Sequence, residues 1–170
     1  MALRPNGNSG PLAASISMLE EYLMVQGREW ERYAWVKARA ITGSSEDIAT
    51  LEGIVRPFVY RRYLDFGSID ALRSMHAQIR ADVIRQETRH PERTTNVKLG
   101  RGGIREIEFL SQVFQLIRGG RDPELRDRST RKTLQTLSER KFLSATACHD
   151  LLDDYEFLRN LEHQIGRAHV

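Results

Sequence analysis

The chain has 170 residues, of which 40% are hydrophobic and 29% are charged, and this composition is typical of one globular domain rather than of a disordered chain. Its formal net charge is only +3, because 23 acidic residues offset 26 basic ones, so it lacks the dense basic footprint of a nucleic-acid-binding protein. Cys148 is the only cysteine, which excludes an internal disulfide and a cysteine-based zinc cage, and no apolar run is long enough for a membrane span. We therefore expect a cytoplasmic protein.

Turn-forming residues open the chain, and helical spacing of apolar residues follows. Asn, Gly and Pro are concentrated in residues 3–11, which predicts a loop after the end of a strand. The spacing predicts a helix over 16–26, stopped by a glycine, and a second helix from 28 to about 41. A third helix is predicted over 46–55, interrupted before Pro57 because proline disfavours helix in the residue before it.

Glycine pairs make the second half easier to divide into elements. Gly102-Gly103 and Gly119-Gly120 bracket a helix over 104–118. The other predicted elements are a long helix over 69–89, a short strand over 96–99, and helices over 129–140 and 145–165. The chain is therefore predicted to be mostly α, with one or two short strands.

A glycine-rich turn leads directly into the predicted helix 104–118. Lys98, Arg101 and Arg105 supply three cations close to Gly102 and Gly103, and the start of a helix offers free backbone N–H groups. This arrangement suits phosphate, although the glycine spacing matches neither the dinucleotide-binding nor the Walker A motif. An ordinary tight turn is the alternative interpretation.

Glu106 falls on the broad apolar side of the helix 104–118, whereas Glu108 points nearly the opposite way, so the two cannot form one acid/base pair. A carboxylate on an apolar face needs a cationic or hydrogen-bonding partner. Glu106 therefore either forms an ion pair or caps backbone N–H groups in the first turn of its helix.

Lys37 shares the apolar face of the helix 28–41, while Arg32 and Arg39 are predicted to point the other way. Its stem can follow apolar surface out to water. Alternatively, its ammonium reaches an anion in a cleft, either Glu106 or a substrate phosphate.

Other candidate sites have simpler explanations. The aromatic and basic stretch 56–62 could stack on nucleic-acid bases, but it is also typical of a connector packed on the core. His76 is expected to be a core histidine, and no His, Asp or Glu grouping has the spacing of a metal site.

Four stretches in order resemble the family of bifunctional glutamine synthetase adenylyltransferase/adenylyl-removing enzymes: Leu3–Leu12, Gly27–Ala40, Arg56–Tyr63 and Lys98–Phe109. The family has two related nucleotidyltransferase halves. Lys98–Phe109, followed by Phe114–Arg121, is similar to the N-terminal, adenylyl-removing half. The resemblance implies removal of AMP from an adenylylated tyrosine of glutamine synthetase, with phosphate as acceptor, ADP as product and Mg²⁺ organising the phosphates.

The sequence departs from the family pattern at both ends. The resemblance implies that the superfamily's Gly-Ser turn and Asp-x-Asp metal ligands lie upstream of this region, so they are not present here. The carboxylate expected just before Leu3-Arg4-Pro5 is also not present, and Ala2 stands where the family usually has arginine. Residues 166–170 also fail to continue the pattern. We therefore expect a fragment that holds no catalytic residue or metal ligand and is inactive alone.

The resulting prediction is the C-terminal part of a nucleotidyltransferase-type domain over 1–120, with its edge strands, followed by the start of a helical bundle over 121–170. Glu106 is expected to position the site by ion pairing, and the candidates for binding nucleotide or phosphate are Arg4, Lys37, Lys98, Gly102, Gly103 and Arg105.

The partners implied by the resemblance are glutamine synthetase, the PII signal protein and, in the full-length enzyme, ATP, ADP and phosphate. Neither nucleic acid nor a membrane is expected. The competing function is a non-catalytic helical module that docks glutamine synthetase or the PII signal protein.

Overall fold

A computed structural model of the chain describes residues 5–63, 66–90 and 96–168. These residues form seven α-helices: α1 (Ile16–Val25), α2 (Glu29–Trp35), α3 (Ser45–Val59), α4 (Phe66–Arg89), α5 (Ile104–Arg118), α6 (Thr130–Glu139) and α7 (Ala145–Ala168). Short 3-10 turns lie at Gly7–Ser9 and Pro123–Arg126. No strand occurs in the described residues, and no helix there is long and apolar enough to cross a membrane.

Serine side chains define where several helices begin. Ser15 Oγ accepts a hydrogen bond from Met18 N at 3.2 Å at the start of α1. At the start of α3, Ser44 and Asp47 form a reciprocal capping box, in which each side chain accepts a hydrogen bond from the other residue's N–H. These bonds satisfy N–H groups that have no partner within the helix.

Two helix ends differ from the prediction. The second helix was expected to reach about residue 41, but α2 stops at Trp35, and the chain beyond it is held by a hydrogen bond from Arg128 Nε to Ala38 O at 2.9 Å. The third was expected to break before Pro57, but α3 continues to Val59. Its last turn is stabilised from α2, because Arg32 donates to the carbonyls of Phe58 (3.1 Å) and Val59 (3.0 Å).

The strand predicted over 96–99 is a hydrogen-bonded turn. Asn96 Oδ1 accepts hydrogen bonds from Lys98 N (3.0 Å) and Leu99 N (2.9 Å), and Asn96 O accepts one from Gly100 N (2.8 Å). The asparagine side chain thus replaces the partner strand that an extended segment would need.

Helix α5 connects two hydrophobic cores. Leu116, on its C-terminal half, packs with buried residues from α1 to α4: Leu23, Val36, Phe58, Val59 and Leu72. Ile107, on its N-terminal half, packs with a second set from the 3-10 turn 123–126, α6 and α7: Leu125, Leu134, Leu137 and Cys148. The bounds of α5 match the prediction, and its position between the cores explains why it is buried on more than one side.

Candidate phosphate site at the glycine turn

The turn over 96–103 uses its own backbone groups to enter α5. Gly103 N donates to Gly100 O, Ile104 N to Val97 O, and Arg105 N to Lys98 O, at 3.0 to 3.1 Å. Glu106 N donates to Gly103 O at 3.0 Å. The prediction of free N–H groups at this helix start is therefore wrong, because carbonyls of the turn already accept these hydrogen bonds. A phosphate here would have to be bound by side chains.

Glycine is required in this turn for two separate reasons. Gly102 has a φ of +73°, a left-handed conformation that side chains disfavour. At Gly103 an added Cβ would lie 2.8 Å from the carbonyl oxygens of Gly100 and Val97, which is closer than packed atoms approach. Both glycines shape the turn, and neither offers an N–H group for a ligand, since Gly102 N donates to Glu106.

Glu106 combines the two roles that were predicted as alternatives. Its Oε2 accepts the hydrogen bond from Gly102 N at 3.0 Å, which is a capping contact. Its Oε1 lies 4.0 Å from Arg80 Nε of α4, at the limit of an ion pair. The carboxylate is 38% exposed, so little desolvation has to be offset.

Beside the turn, a cavity of about 250 Å³ opens between α4 and α5, and we call it the glycine-turn pocket. Arg80, Arg101 and Arg105 contribute three cations to it, against the carboxylates of Glu87 and Glu106. Its other walls are apolar or aromatic: His76, Ile79, Val83, Ile84, Leu99 and Phe109. Within the described part of the chain, Arg101 and Arg105 form no ion pair, so their guanidinium groups are available to an anion.

His76 forms part of this wall. Its ring stacks on Phe109 at a centroid distance of 4.6 Å, and Phe109 also contacts the Tyr33 ring at 5.4 Å. Burial raises the pKa of Tyr33 to about 12, so its phenol stays protonated at neutral pH. His76 was predicted to be a core histidine, but it is half-buried and lines the glycine-turn pocket instead.

Lys98 lies on the turn, but its side chain points toward α7. Its Nζ is 3.1 Å from Glu162 Oε1, and Glu162 also pairs with Arg159 at 2.9 Å. The Lys98 side chain is 61% exposed, so this surface pair contributes little to stability. Lys98 does not line the glycine-turn pocket.

Lys37 lies in a different cleft from Glu106. Its Nζ donates to Arg128 O at 2.6 Å and to Thr130 Oγ1 at 3.2 Å, which ties the turn after α2 to the start of α6. Burial lowers the pKa of Lys37, while the carboxylates of Glu108 and Asp127 oppose that effect. The cleft also contains Glu108, so Lys37 faces the carboxylate that the helical phase had placed opposite Glu106.

Glu108 is fixed from α7, since Tyr155 OH donates to its Oε1 at 2.9 Å. The structure therefore separates the predicted site residues into two groups. Arg105 and Glu106 line the glycine-turn pocket, next to Gly102 and Gly103 of the turn, whereas Lys37 lines the other cleft. Lys98 lines neither of them. Arg4 lies outside the described residues.

Sequence reasoning missed a buried polar network on α2. Arg32 was predicted to point away from the core, yet it is fully buried, paired with Glu29 and bonded to the end of α3. Glu31, 1% exposed, accepts hydrogen bonds from Tyr22 OH and Arg28 N, both at 2.9 Å. The only signal in the sequence is the short spacing from Glu29 to Arg32, which is typical of many exposed ion pairs as well.

The described residues contain no group of three or more His, Cys, Asp or Glu side chains that could hold a metal ion. The donor set that Mg²⁺ prefers, several carboxylate or carbonyl oxygens converging on one point, is not found at either cleft. No chemical step through a metal ion is therefore assigned to these residues.

Comparison with known proteins places the chain in a family. The sequence profile of "GlnD PII-uridylyltransferase" matches residues 73–167, and that of "Glutamate-ammonia ligase adenylyltransferase" matches residues 1–53. The bifunctional glutamine synthetase adenylyltransferase/adenylyl-removing enzymes of Aromatoleum aromaticum and Chromobacterium violaceum are 57% and 55% identical to the chain over 97% of its length. The enzyme of the same name from Pseudomonas aeruginosa is 50% identical to the chain, again over 97% of the chain's length.

The chain belongs to this bifunctional enzyme family. The resemblance noted from the sequence is thereby confirmed. The chain spans only 16% to 18% of the length of these relatives, so the activity and partners of a whole enzyme do not transfer to it directly.

The two matched profiles also divide the candidate residues of this family member. Glu31, Arg32 and Lys37 lie within the first matched region, whereas the residues that line the glycine-turn pocket lie within the second. The contacts of Lys37 with Arg128 and Thr130 join the two matched regions.

Proposed function

We propose that the chain is a part of the adenylyl-removing half of a bifunctional enzyme that regulates glutamine synthetase in the cytoplasm. The observation that carries this proposal is the 57% identity, over 97% of the chain, to an enzyme whose name includes both activities. Residues 1–120 would be the C-terminal part of a nucleotidyltransferase-type domain, and residues 121–170 the start of the next helical region.

In the proposed reaction, an oxygen of inorganic phosphate attacks the phosphorus of the AMP group on an adenylylated tyrosine. The bond to the tyrosine oxygen breaks, the tyrosine takes up a proton, and ADP is released. Mg²⁺, when bound by the whole enzyme, would neutralise charge on the phosphates. ATP would belong to the adenylylating activity.

The chain's own contribution would be to bind and orient the phosphate groups. Arg105 is the strongest of the candidates, because its guanidinium lines the glycine-turn pocket and pairs with no carboxylate in the described residues. Lys37, Lys98 and Arg4 remain candidates, although Lys37 and Lys98 would have to exchange their present partners for a ligand. Glu106 would act as a positioning residue through Gly102 and Arg80.

The chemistry itself would require residues outside this chain. Its sequence contains no Asp-x-Asp motif, and without metal-binding carboxylates the charge on the transferring phosphorus has no strong stabiliser. We expect the chain alone to release no ADP.

The test compares this chain with a form extended upstream through the aspartate-bearing strands. Phosphate-dependent release of ADP from adenylylated glutamine synthetase is measured for both, and activity is expected only in the extended form. An Arg105→Gln variant of the extended form should bind phosphate more weakly, with Arg73→Gln, an exposed arginine on α4, as the matched control. Activity in the short chain, or inactivity in both, would contradict the proposal.

A second candidate function is a helical module that docks the PII signal protein or glutamine synthetase. It is favoured by the match of residues 73–167 to a profile named for PII-uridylyltransferase. Calorimetric titration of the chain with each purified partner tests docking. Because the chain alone is expected to release no ADP under either function, binding of the PII signal protein is the result that favours docking.

A further inference from the structure

Another cavity, of about 300 Å³, lies between the loop after α2, helix α3 and the 3-10 turn 123–126. It is distinct from both the glycine-turn pocket and the cleft that Lys37 lines. Four arginines line it, Arg39, Arg56, Arg126 and Arg128, with Glu52 as the only carboxylate among its lining residues. We call it the arginine pocket. The formal charge of its lining residues is +3, from four guanidinium groups and one carboxylate, so the pocket attracts anions.

Two of these guanidinium groups are held in place by backbone carbonyls. Arg126 Nε donates to Gly119 O at 2.6 Å, and Arg128 Nε donates to Ala38 O at 2.9 Å. Each bond uses one of the five N–H donors of the guanidinium and leaves the terminal nitrogens for other acceptors. The pocket is therefore partly organised before any ligand arrives, which lowers the entropy lost on binding.

The other two arginines differ in their availability. Arg56 is already paired with Glu52 of the same helix at 3.0 Å. Arg39 is exposed and has no ion pair or side-chain hydrogen bond in the described part of the chain. Arg39 is thus the arginine whose loss would affect a ligand without removing a structural contact.

Aromatic and apolar side chains form the remaining walls. Arg126 stacks over the Tyr60 ring at 5.4 Å, and Trp35 and Pro123 also line the cavity. Burial raises the pKa of Tyr60 although Arg126 and Arg128 oppose it, so the phenol remains a neutral hydrogen-bond donor. A flat group could rest on these walls while its anionic end meets the guanidinium groups.

We propose that the arginine pocket binds a phosphate group, either as the free ion or as the monoester of a small flat molecule. Planar guanidinium groups match phosphate oxygens with paired N–H donors, and several of them arriving from different elements suit a tetrahedral dianion. The inference does not depend on the proposed function, which uses the glycine-turn pocket at the other end of α5.

The test is calorimetric titration of the chain at constant ionic strength with three probes: inorganic phosphate, AMP and adenosine. Phosphate and AMP should bind, and adenosine should give no heat. Tighter binding of AMP than of phosphate assigns the monoester, whereas binding of phosphate alone assigns the free ion. Absence of binding by both phosphate-bearing probes would overturn the proposal.

Two variants locate the binding site. Arg39→Gln should weaken phosphate or AMP binding by about tenfold, the effect of losing one hydrogen bond to a charged group. Arg85→Gln, an exposed arginine on α4 that pairs with Asp82, removes the same charge elsewhere and should have no effect. The proposal is wrong if Arg39→Gln leaves binding unchanged, or if Arg39→Gln and Arg85→Gln weaken it equally.

Discussion

The α2 network and the glycine turn both concentrate charge, but they differ in burial and in partners. On α2, Arg32 and Glu31 are almost completely buried and are hydrogen-bonded to neighbouring elements. At the glycine turn, Arg101 and Arg105 are exposed and form no ion pair in the described residues. A buried charge must be paired because its desolvation is costly, whereas an exposed charge can stay unpaired until a ligand arrives. The first region therefore holds the fold together, and the second is available for binding.

The largest expected effect comes from removing the buried guanidinium. Arg32→Met leaves the carbonyls of Phe58 and Val59 without their donor and leaves Glu29 with Arg61 as its ion-pair partner. It should lower the free energy of unfolding by about 3–5 kcal/mol. Urea denaturation followed by circular dichroism measures this loss. Arg39→Met is the matched control and should stay within about 0.5 kcal/mol of wild type. If Arg32→Met and Arg39→Met were equally stable, the difference in burial between the two arginines would not determine their contribution to stability.

The next effect concerns the shape of the glycine turn. Gly103→Ala forces a Cβ against the Gly100 and Val97 carbonyls and should cost about 1–3 kcal/mol, the usual range for overpacking. Gly102→Ala should cost about 1–2 kcal/mol because of its left-handed backbone. Thermal unfolding compares both with Gly53→Ala on α3, where an added Cβ meets nothing within 4 Å. That control should be neutral or stabilising, since alanine favours helix. A Gly103→Ala protein as stable as the Gly53→Ala control would show that the turn can rearrange.

Helix boundaries were predictable where local signals decide them. The glycine pairs at 102–103 and 119–120 gave the bounds of α5 correctly, because glycine marks helix ends independently of tertiary contacts. The end of α3 was not predictable, since the donor that stabilises its last turn is Arg32, 26 residues earlier in the chain. Similarly, the strand expected over 96–99 failed because one asparagine side chain satisfies the backbone of that segment.

The candidate site was predictable only in part. Helical phase correctly separated Glu106 from Glu108, because phase depends on spacing alone. It failed for Arg32, because the side of α2 opposite its apolar face is covered by the end of α3 rather than by solvent. It also could not show that the N–H groups at the start of α5 are occupied, which depends on how the preceding turn folds back.

Tyr33 lies between the α2 network and the glycine turn, and its burial can be tested by measuring stability at different pH values. Its pKa in the folded protein is about 12, raised by burial from an ordinary value of 10.0. The protonated phenol is therefore favoured by folding: its contribution to stability is complete below pH 10 and is lost as pH rises from 10 to 12. Between pH 10 and 12, the free energy of unfolding of Tyr33→Phe should therefore fall less steeply than that of wild type, by up to about 1.4 kcal/mol per pH unit.

Urea unfolding at pH 9 and pH 11 measures this difference. Wild type and Tyr33→Phe are compared at both pH values. Burial also raises the pKa values of Tyr22, Tyr60 and Tyr155 and lowers that of Lys37, so the comparison must be between variants rather than between pH values. If stability fell with pH as steeply in Tyr33→Phe as in wild type, the phenol of Tyr33 would be in contact with water rather than buried.

The smallest effect should come from the carboxylate of the glycine turn. Glu106→Gln keeps an oxygen that can accept the hydrogen bond from Gly102 N, and its ion pair with Arg80 is long and exposed, so the loss should be below about 1 kcal/mol. Glu31→Gln is the matched change at a buried carboxylate that accepts two hydrogen bonds, and it should cost more, about 1–3 kcal/mol. Chemical denaturation of the two variants side by side gives the ranking. If Glu106→Gln were the more destabilising of the two, the glycine turn would depend on the charge of Glu106 for its stability, as α2 depends on its buried charges. The arginines of the glycine turn would then serve to stabilise the Glu106 carboxylate rather than to bind a ligand.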